Sequence, residues 1–343
     1  MCYSKMTMKE HSKVAIITGA NAGVGFGIIQ RLLQEDKHIS IVMACRNHTR
    51  ASNARKSLLA EFPEANIDIK LVDVGSTISV FDFCKAVKDS YSHIDYIFCN
   101  AGILSTSGIN WSQVVWQFLA SPVGFMERSD ATVQIVGEIN ADGMGNVFAA
   151  NVFGHYIMAR ELESLLHISG EGRVIWTSSL TAEKSVFDIE DWQGIRSLMP
   201  YESSKWACDL VAIGSNTRYD NEKQNITSFS TSPGVVASSI GNLPIWITKL
   251  RTLIHYAFRF AGVTSQNITG YRGAVAHAFV ALQPLKTLNY LCRYTSLTSW
   301  RGVSYAEAEP ISDYDPMDAE KLIQHCELAY QAWKNKYTQS RIG

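Results

Sequence analysis

Tyr201 and Lys205 stand four residues apart in the stretch Tyr201-Glu202-Ser203-Ser204-Lys205. On a helix that spacing puts both side chains on one face, about one turn apart. An ammonium favours the phenolate form of a nearby tyrosine, so such a pair can give and take a proton near neutral pH. Upstream, Thr177-Ser178-Ser179 closes an apolar run and offers hydroxyls that could polarise a carbonyl. A second group of residues follows the first apolar run, as Thr18-Gly19-Ala20-Asn21-Ala22-Gly23-Val24-Gly25. Its glycines permit a tight turn, close approach of the backbone to a pyrophosphate and tight packing of the next helix, whose N-terminal N–H groups face the phosphates. At the end of the second apolar run, where an NAD site offers a carboxylate to the ribose, the chain reads Ala44-Cys45-Arg46-Asn47. A cation there suits a 2′-phosphate, so the expected cofactor is NADPH.

For these residues to meet, strands and helices must alternate. Apolar runs at 14–18, 40–44, 67–72, 96–99, 173–177 and 227–232 predict strands, and apolar residues at helical spacing predict helices over 25–35, 51–61, 80–90, 145–166 and 203–219. The alternation predicts an α/β fold, a doubly wound parallel sheet with helices on both faces. Two stretches interrupt it: residues 103–144 are turn-rich, and 240–285 are apolar and helical. Ligands of open α/β sheets bind beyond the carboxyl ends of the strands, so these insertions are expected to build the substrate side. With no internal repeat or break in composition, one domain over 1–343 is expected, with its core at 13–238. A closing helix is expected at 315–336, with Asp315 as N-cap and Pro316 at the first helical position.

The 343 residues are 46% hydrophobic, and 31 basic side chains stand against 32 acidic ones. That balance excludes a disordered chain and argues against a nucleic-acid partner, which needs a basic surface. Seven scattered cysteines, Cys2 among them, lack a C-x-x-C pair and read as reduced thiols of a cytosol-facing protein. No metal-ligand spacing is present. Residues 1–13 are polar without an apolar core, so no signal peptide is expected, and no apolar run is long enough to predict a spanning helix.

The glycine turn, Asp73 closing the third strand, Asn100-Ala101-Gly102 after the fourth, Asn151 within a helix, the serine pair, Tyr201 with Lys205, and Pro233-Gly234 occur in a characteristic order. In that order and context the chain resembles the short-chain dehydrogenases/reductases over residues 13–238. The resemblance implies a Rossmann-like fold with Tyr201 as proton donor and Lys205 as a ribose ligand that eases the tyrosine's ionisation. It implies Ser179 as hydrogen-bond donor to the carbonyl and Asn151 as holder of a relay water. It also implies nucleotide contacts at Gly19, Asn21, Gly23, Val24, Gly25, Arg46, Asn47, Asp73, Asn100, Ala101, Gly102, Tyr201, Lys205, Pro233, Gly234, Val236 and Ser238. Asp73 would meet the adenine, and Asn100 to Gly102 would line the cofactor channel. One feature departs from the family: the interval from Ser179 to Tyr201 is long, and the usual interval would land on Asp188, whose chemistry is wrong for the role. The strand-end context selects Ser179, with Ser178 as the fallback.

Within the family, Val174-Ile175-Trp176-Thr177-Ser178-Ser179, Asn151-Val152-Phe153-Gly154-His155 and the 103–144 insertion look like the branch that reduces 3-oxo sterols. That likeness implies NADPH-dependent reduction of a 3-oxo group to the 3β-alcohol during C-4 demethylation. It further implies a place at the endoplasmic reticulum membrane or lipid droplets, with other sterol-biosynthetic enzymes as partners. Trp111, Trp116, Phe118, Phe125, Trp246 and Phe258 in the insertions suit an apolar polycyclic substrate. Two alternatives stay open: reduction of a retinoid or other lipid carbonyl, and a scaffold that docks sterol enzymes. Over 246–261, a helical projection gathers Trp246, Ile247, Leu250, Leu253, Ile254, Ala257, Phe258 and Phe260 on one side and Lys249, Arg251, His255, Tyr256 and Arg259 on the other. Such a helix can lie in a bilayer interface, cationic face to the headgroups, or cover the pocket with its apolar face turned inward.

Overall fold

The computed structural model describes residues 12–127, 132–236 and 245–342. Cys2 and Ser238 lie outside the described residues, as do the side chains of Phe118, Phe125, Trp246 and Leu250. In chain order the strands are β1 (Val14–Thr18), β2 (Ser40–Cys45), β3 (Asn66–Leu71), β4 (Tyr96–Cys99), β5 (Thr106–Ile109), β6 (Thr132–Gln134), β7 (Gly172–Thr177), β8 (Ile226–Ser232), β9 (Val235–Val236), β10 (Gln266–Ile268), β11 (Cys292–Thr298) and β12 (Ser304–Pro310). The helices are α1 (Gly23–Glu35), α2 (His48–Glu61), α3 (Thr77–Lys88), α4 (Trp111–Ala120), α5 (Pro122–Glu127), α6 (Asn146–Phe148), α7 (Gly154–Glu161), α8 (Glu163–Ile168), α9 (Pro200–Asn221), α10 (Ile245–Phe260), α11 (Gly270–Gly273), α12 (Val275–Leu282) and α13 (Pro316–Ile342).

The main sheet runs β12-β11-β8-β7-β4-β1-β2-β3 and is parallel throughout except for β12, which pairs antiparallel with β11. Central strands are apolar without alternation because helices cover both faces, and every residue of β1 and β7 is buried. One face packs Trp176, Phe148 and Trp206 against Leu322 and Cys326 of α13; the other packs Ile17, Phe98 and Ile175 against Ile28 and Leu32 of α1. β1 lies between β2 and β4, so strand order reverses there and a crevice opens beyond the carboxyl ends of β1 and β4.

All six expected strands form, with edges shifted by no more than a residue. Two further strands, β11 and β12, extend the sheet beyond the expectation. Their sequences, Cys-Arg-Tyr-Thr-Ser-Leu-Thr and Ser-Tyr-Ala-Glu-Ala-Glu-Pro, lack an apolar run. β11 is nevertheless buried, and two of its hydroxyls find partners inside: Ser296 Oγ donates to the Gly273 carbonyl and accepts from the Ala276 N–H, and Thr298 Oγ1 donates to Asn267 Oδ1. The helix expected over 145–166 is interrupted by a π turn at Ala149–Phe153 and restarts after Leu162. The 103–144 stretch is not merely turns, for β5 and β6 form a hairpin that carries α4 and α5. The closing helix starts where expected, with Asp315 Oδ1 accepting from the Met317 N–H, and it runs on to Ile342.

Candidate active site

The glycine turn closes over the end of β1 with Gly19 at φ +65° and Gly23 at φ +57°, a region that side chains disfavour. A Cβ on Gly25 would sit 2.5 Å from the Gly19 carbonyl oxygen and 2.7 Å from Asn100 Nδ2, so the cradle exists only without one. Asn100 locks the turn to β4 by donating from Nδ2 to the Thr18 carbonyl at 2.8 Å. The Thr18 hydroxyl accepts from the main-chain N–H groups of Asn100 and Ala101, both at 2.9 Å. A helix N-terminus behind a backbone cradle of this kind fits the pyrophosphate of a dinucleotide.

The site is brought together by Lys205. Its ammonium, in a residue only 4% exposed, donates to the Thr177 carbonyl at the end of β7 over 2.8 Å. It lies 5.5 Å from the centre of the Tyr201 ring. A Cβ on Gly102 would come within 3.6 Å of this nitrogen and 2.9 Å of Asn151 Oδ1. Asn151, on the π turn, uses its side chain to tie elements together. Oδ1 accepts from the Ile103 N–H at 2.7 Å, and Nδ2 donates to the Ile103 carbonyl and to Ser204 Oγ.

The two serines part company. Ser178 is buried and donates to the Lys205 carbonyl at 3.1 Å, whereas Ser179 is half-buried and shares its hydroxyl with Thr181 at 3.0 Å. The loop over 183–199 is anchored by Trp192, which stacks on His325 of α13 and meets Phe148 edge-on. Beyond β2 and β3, Arg46 and Asp73 stand 3.8 Å apart and largely exposed, and Asn47 caps α2 by accepting from the Arg50 N–H. Gly234 takes φ +62° against Asn267, which donates to the Pro233 carbonyl at 2.7 Å. Val236 continues from it as part of β9, paired with β10.

Sequence patterns do not disclose three polar residues that hold this centre. Gln134 of β6 reaches α9, and His155 and His277 flank the sheet ends. His155 Nε2 lies 2.9 Å from Thr18 Oγ1, and His277 Nε2 lies 3.0 Å from Thr177 Oγ1. The Asn151 carbonyl can only accept, so the neutral ring of His155 carries its proton on Nδ1, which donates there at 3.3 Å, and Nε2 accepts from the Thr18 hydroxyl, whose proton also faces the Phe98 carbonyl at 3.1 Å. For His155, the position four residues after Asn151 was the signal available; for Gln134, 67 residues from its partner, there was none.

In the insertions, Trp111 and Trp116 are exposed, Trp116 at 73%, so neither fills a core. Over the described side chains of α10, residues 253–260, the expected division into an apolar and a cationic side does not hold. His255 and Arg259 turn inward, where the guanidinium donates to the carbonyls of Gln266 and Asn267, while Leu253 is 66% and Phe260 74% exposed. Main-chain acceptors inside the protein satisfy Arg259, so it neither faces headgroups nor leaves these two apolar side chains over a pocket.

The crevice, the glycine cradle and the Tyr201/Lys205 pair are those of an oxidoreductase, and the chain belongs to the short chain dehydrogenase family, whose sequence model matches residues 13–243. Among similar proteins is the human 3-keto-steroid reductase/17-beta-hydroxysteroid dehydrogenase 7, 36% identical over 318 residues that cover 91% of this chain and 92% of the human one. The rat protein of the same name is 35% identical over 323 residues, covering 91% and 93%. A solved alcohol dehydrogenase from Thermococcus sibiricus, complexed with 5-hydroxy-NADP, matches with a TM-score of 0.55 at 18% identity over 86% of this chain and 100% of that one. At that identity the likeness is one of fold.

Burial pushes His155 and His277 down to about 3, against a main-chain hydrogen bond in each case and helped by the charge of Lys205. Both are therefore neutral in the folded protein, while the unfolded chain binds protons below about pH 6.5. Stability is expected to fall as pH drops from about 6.5 towards 3. Urea midpoints measured across that window should show a shallower slope in His277→Asn than in the unaltered protein; an identical slope would mean that His277 does not titrate on unfolding.

Proposed function

We propose that this chain uses NADPH to reduce the 3-oxo group of a sterol intermediate to the 3β-alcohol, during C-4 demethylation in sterol biosynthesis. One observation carries the reading. The Lys205 ammonium lies 5.5 Å from the centre of the Tyr201 ring and is bonded to the end of β7, two residues before Ser179, in a chain that aligns over 91% of its length with a protein named as a 3-keto-steroid reductase. Bound in the cradle, the reduced nicotinamide supplies the hydride. The chain's own residues manage the oxygen and its proton. Tyr201 donates its phenolic proton to the 3-oxo oxygen as negative charge grows there, and the Lys205 ammonium stabilises the phenolate left behind. Ser179, whose hydroxyl is not committed to the helix as that of Ser178 is, donates a second hydrogen bond to the same oxygen. Lys205 keeps further N–H groups for the ribose, and Asn151 holds a water through which Tyr201 regains its proton.

The preference for NADPH rests on Arg46, which stands exposed at the nucleotide end of β2, where no carboxylate follows the strand. Attachment to the cytosolic face of the endoplasmic reticulum or to lipid droplets is peripheral in this reading. No described helix is long and apolar enough to cross a membrane, and the outward Leu253 and Phe260 of α10 give an apolar face to lipid.

Tyr201→Phe should lower turnover of a 4-methyl 3-keto-sterol at saturating NADPH by about a thousandfold, leaving NADPH affinity within a factor of about two. Comparable turnover would remove Tyr201 from the mechanism. Running retinal and an open-chain ketone alongside tests the substrate class. In Arg46→Asp, use of NADPH should weaken far more than use of NADH, because a carboxylate repels the 2′-phosphate; an unaltered protein that takes NADH equally well contradicts the preference. Leu253→Ser with Phe260→Ser should abolish flotation with anionic liposomes, and undiminished flotation would rule out α10 as the attachment.

A further inference from the structure

The helix that carries Tyr201 and Lys205 begins without a cap of its own. Met199 precedes α9 with no side-chain hydrogen bond, and Pro200 brings no N–H, so the Tyr201 N–H is the first donor of the helix that lacks an acceptor within it. The acceptor comes from the insertion. Gln134, the last residue of β6, accepts the Tyr201 N–H on Oε1 at 2.9 Å. The same amide donates from Nε2 to the carboxylate of Glu202, a residue 3% exposed, at 2.5 Å. The backbone N–H demands the amide oxygen and the carboxylate demands its nitrogen, so only one orientation of the Gln134 side chain satisfies both. The other side of the Tyr201 main chain is held as well. Ser204 Oγ donates to the Tyr201 carbonyl at 2.6 Å and itself accepts from Asn151 Nδ2 at 2.9 Å. Both polar groups of the Tyr201 main chain are thus clamped, one from the insertion and one from the π turn.

Gln134 is placed by the base of the hairpin. It pairs in register with Thr106, and the next residue, Ile135, donates from its N–H to the Ser105 carbonyl at 3.1 Å. That base leads directly out of the Asn100–Gly102 loop, and the segment after it ties to the long loop before α9 through the Gly137 N–H and the Ile195 carbonyl. Among the described residues, Gln134 is therefore the side chain that connects the insertion to the main chain of the reacting tyrosine.

We propose that Gln134 is a positioning residue, setting the direction in which the Tyr201 ring leaves α9 and transmitting to it the placement of the 106–134 insertion. This rests on the reading of Tyr201 as proton donor. Because a small misplacement of a reacting group is costly, Gln134→Ala is expected to lower kcat for 3-keto-sterol reduction about tenfold to a hundredfold, with the NADPH dissociation constant unchanged within about twofold. The solvent deuterium isotope effect on kcat should rise, since proton donation from a misdirected tyrosine becomes slower; partial unfolding would lower the active fraction and leave the isotope effect where it was. Gln134→Glu alone should be impaired, because it faces the Glu202 carboxylate. The paired exchange of Gln134→Glu with Glu202→Gln restores an acceptor for the Tyr201 N–H and a donor–acceptor pair between the side chains, and should recover most of kcat. Full activity in Gln134→Ala, a loss with no change in isotope effect, or failure of the paired exchange to recover activity would overturn the proposal. If Tyr201→Phe stays active, the fault lies with the proton-donor reading instead.

Discussion

A lysine ammonium taken out of water costs several kcal/mol unless it is partnered, and Lys205 is almost wholly buried. Its partner is the Thr177 carbonyl, the last of β7, and much of the architecture follows from keeping that hydrogen bond. α9 must run along β7 and β8 with its first turns at their carboxyl ends, which places Tyr201 one turn from the ammonium. Beside it in the Asn100–Gly102 loop stands a glycine, where a Cβ would come within 2.9 Å of Asn151 Oδ1. A second cation nearby would be repelled, and the two histidines of the centre are held neutral by burial and by the charge of Lys205. The positive charge is thus concentrated beside Tyr201, where the proposed mechanism puts a phenolate.

Around that centre, the parts of the chain that exceed a plain doubly wound sheet are fastened to it rather than appended. The hairpin over 106–134 reaches the N-terminus of α9, the loop over 183–199 is held by Trp192 between Phe148 and His325, and α13 closes the face against which α9 packs. On the opposite side of the nucleotide turn, α11 comes so close to α1 that a Cβ on Gly270 would lie 2.0 Å from the Gly23 carbonyl oxygen. The glycine turn is therefore enclosed from both flanks, by Asn100 and by α11. A dinucleotide cradle held on both sides needs little rearrangement to bind.

The sequence is most readable where apolar burial and local spacing decide the structure. Strands β1, β2 and β4 are near-continuous apolar runs because both faces of the sheet are covered there, and Tyr201/Lys205 is legible because four residues on a helix fix a shared face. The choice of Ser179 over Ser178 rests on strand-end context, whereas the bond of Ser178 to the Lys205 carbonyl depends on a partner 27 residues away. Legibility ends where polar residues are buried through distant partners. β11 looks too hydrophilic to be a strand until the carbonyl of Gly273 is brought beside Ser296, and the inward face of α10 looks like a solvent face until the carbonyls of Gln266 and Asn267 meet Arg259. Hydropathy ranks a side chain without its partners, so hydrogen bonds across long sequence separations can bury a residue that hydropathy places in water.

The central claim is that one oxygen of the substrate is held by Tyr201 and Ser179 while Lys205 serves the nucleotide and the tyrosine together. A crystal structure of the protein with NADP⁺ and a 3-keto-sterol tests this most directly. The account predicts the 3-oxo oxygen within hydrogen-bonding distance of both Tyr201 Oη and Ser179 Oγ, with Lys205 Nζ on a ribose hydroxyl and still bonded to the Thr177 carbonyl. A sterol bound with that oxygen away from Tyr201, or a ribose out of reach of Lys205, would contradict it.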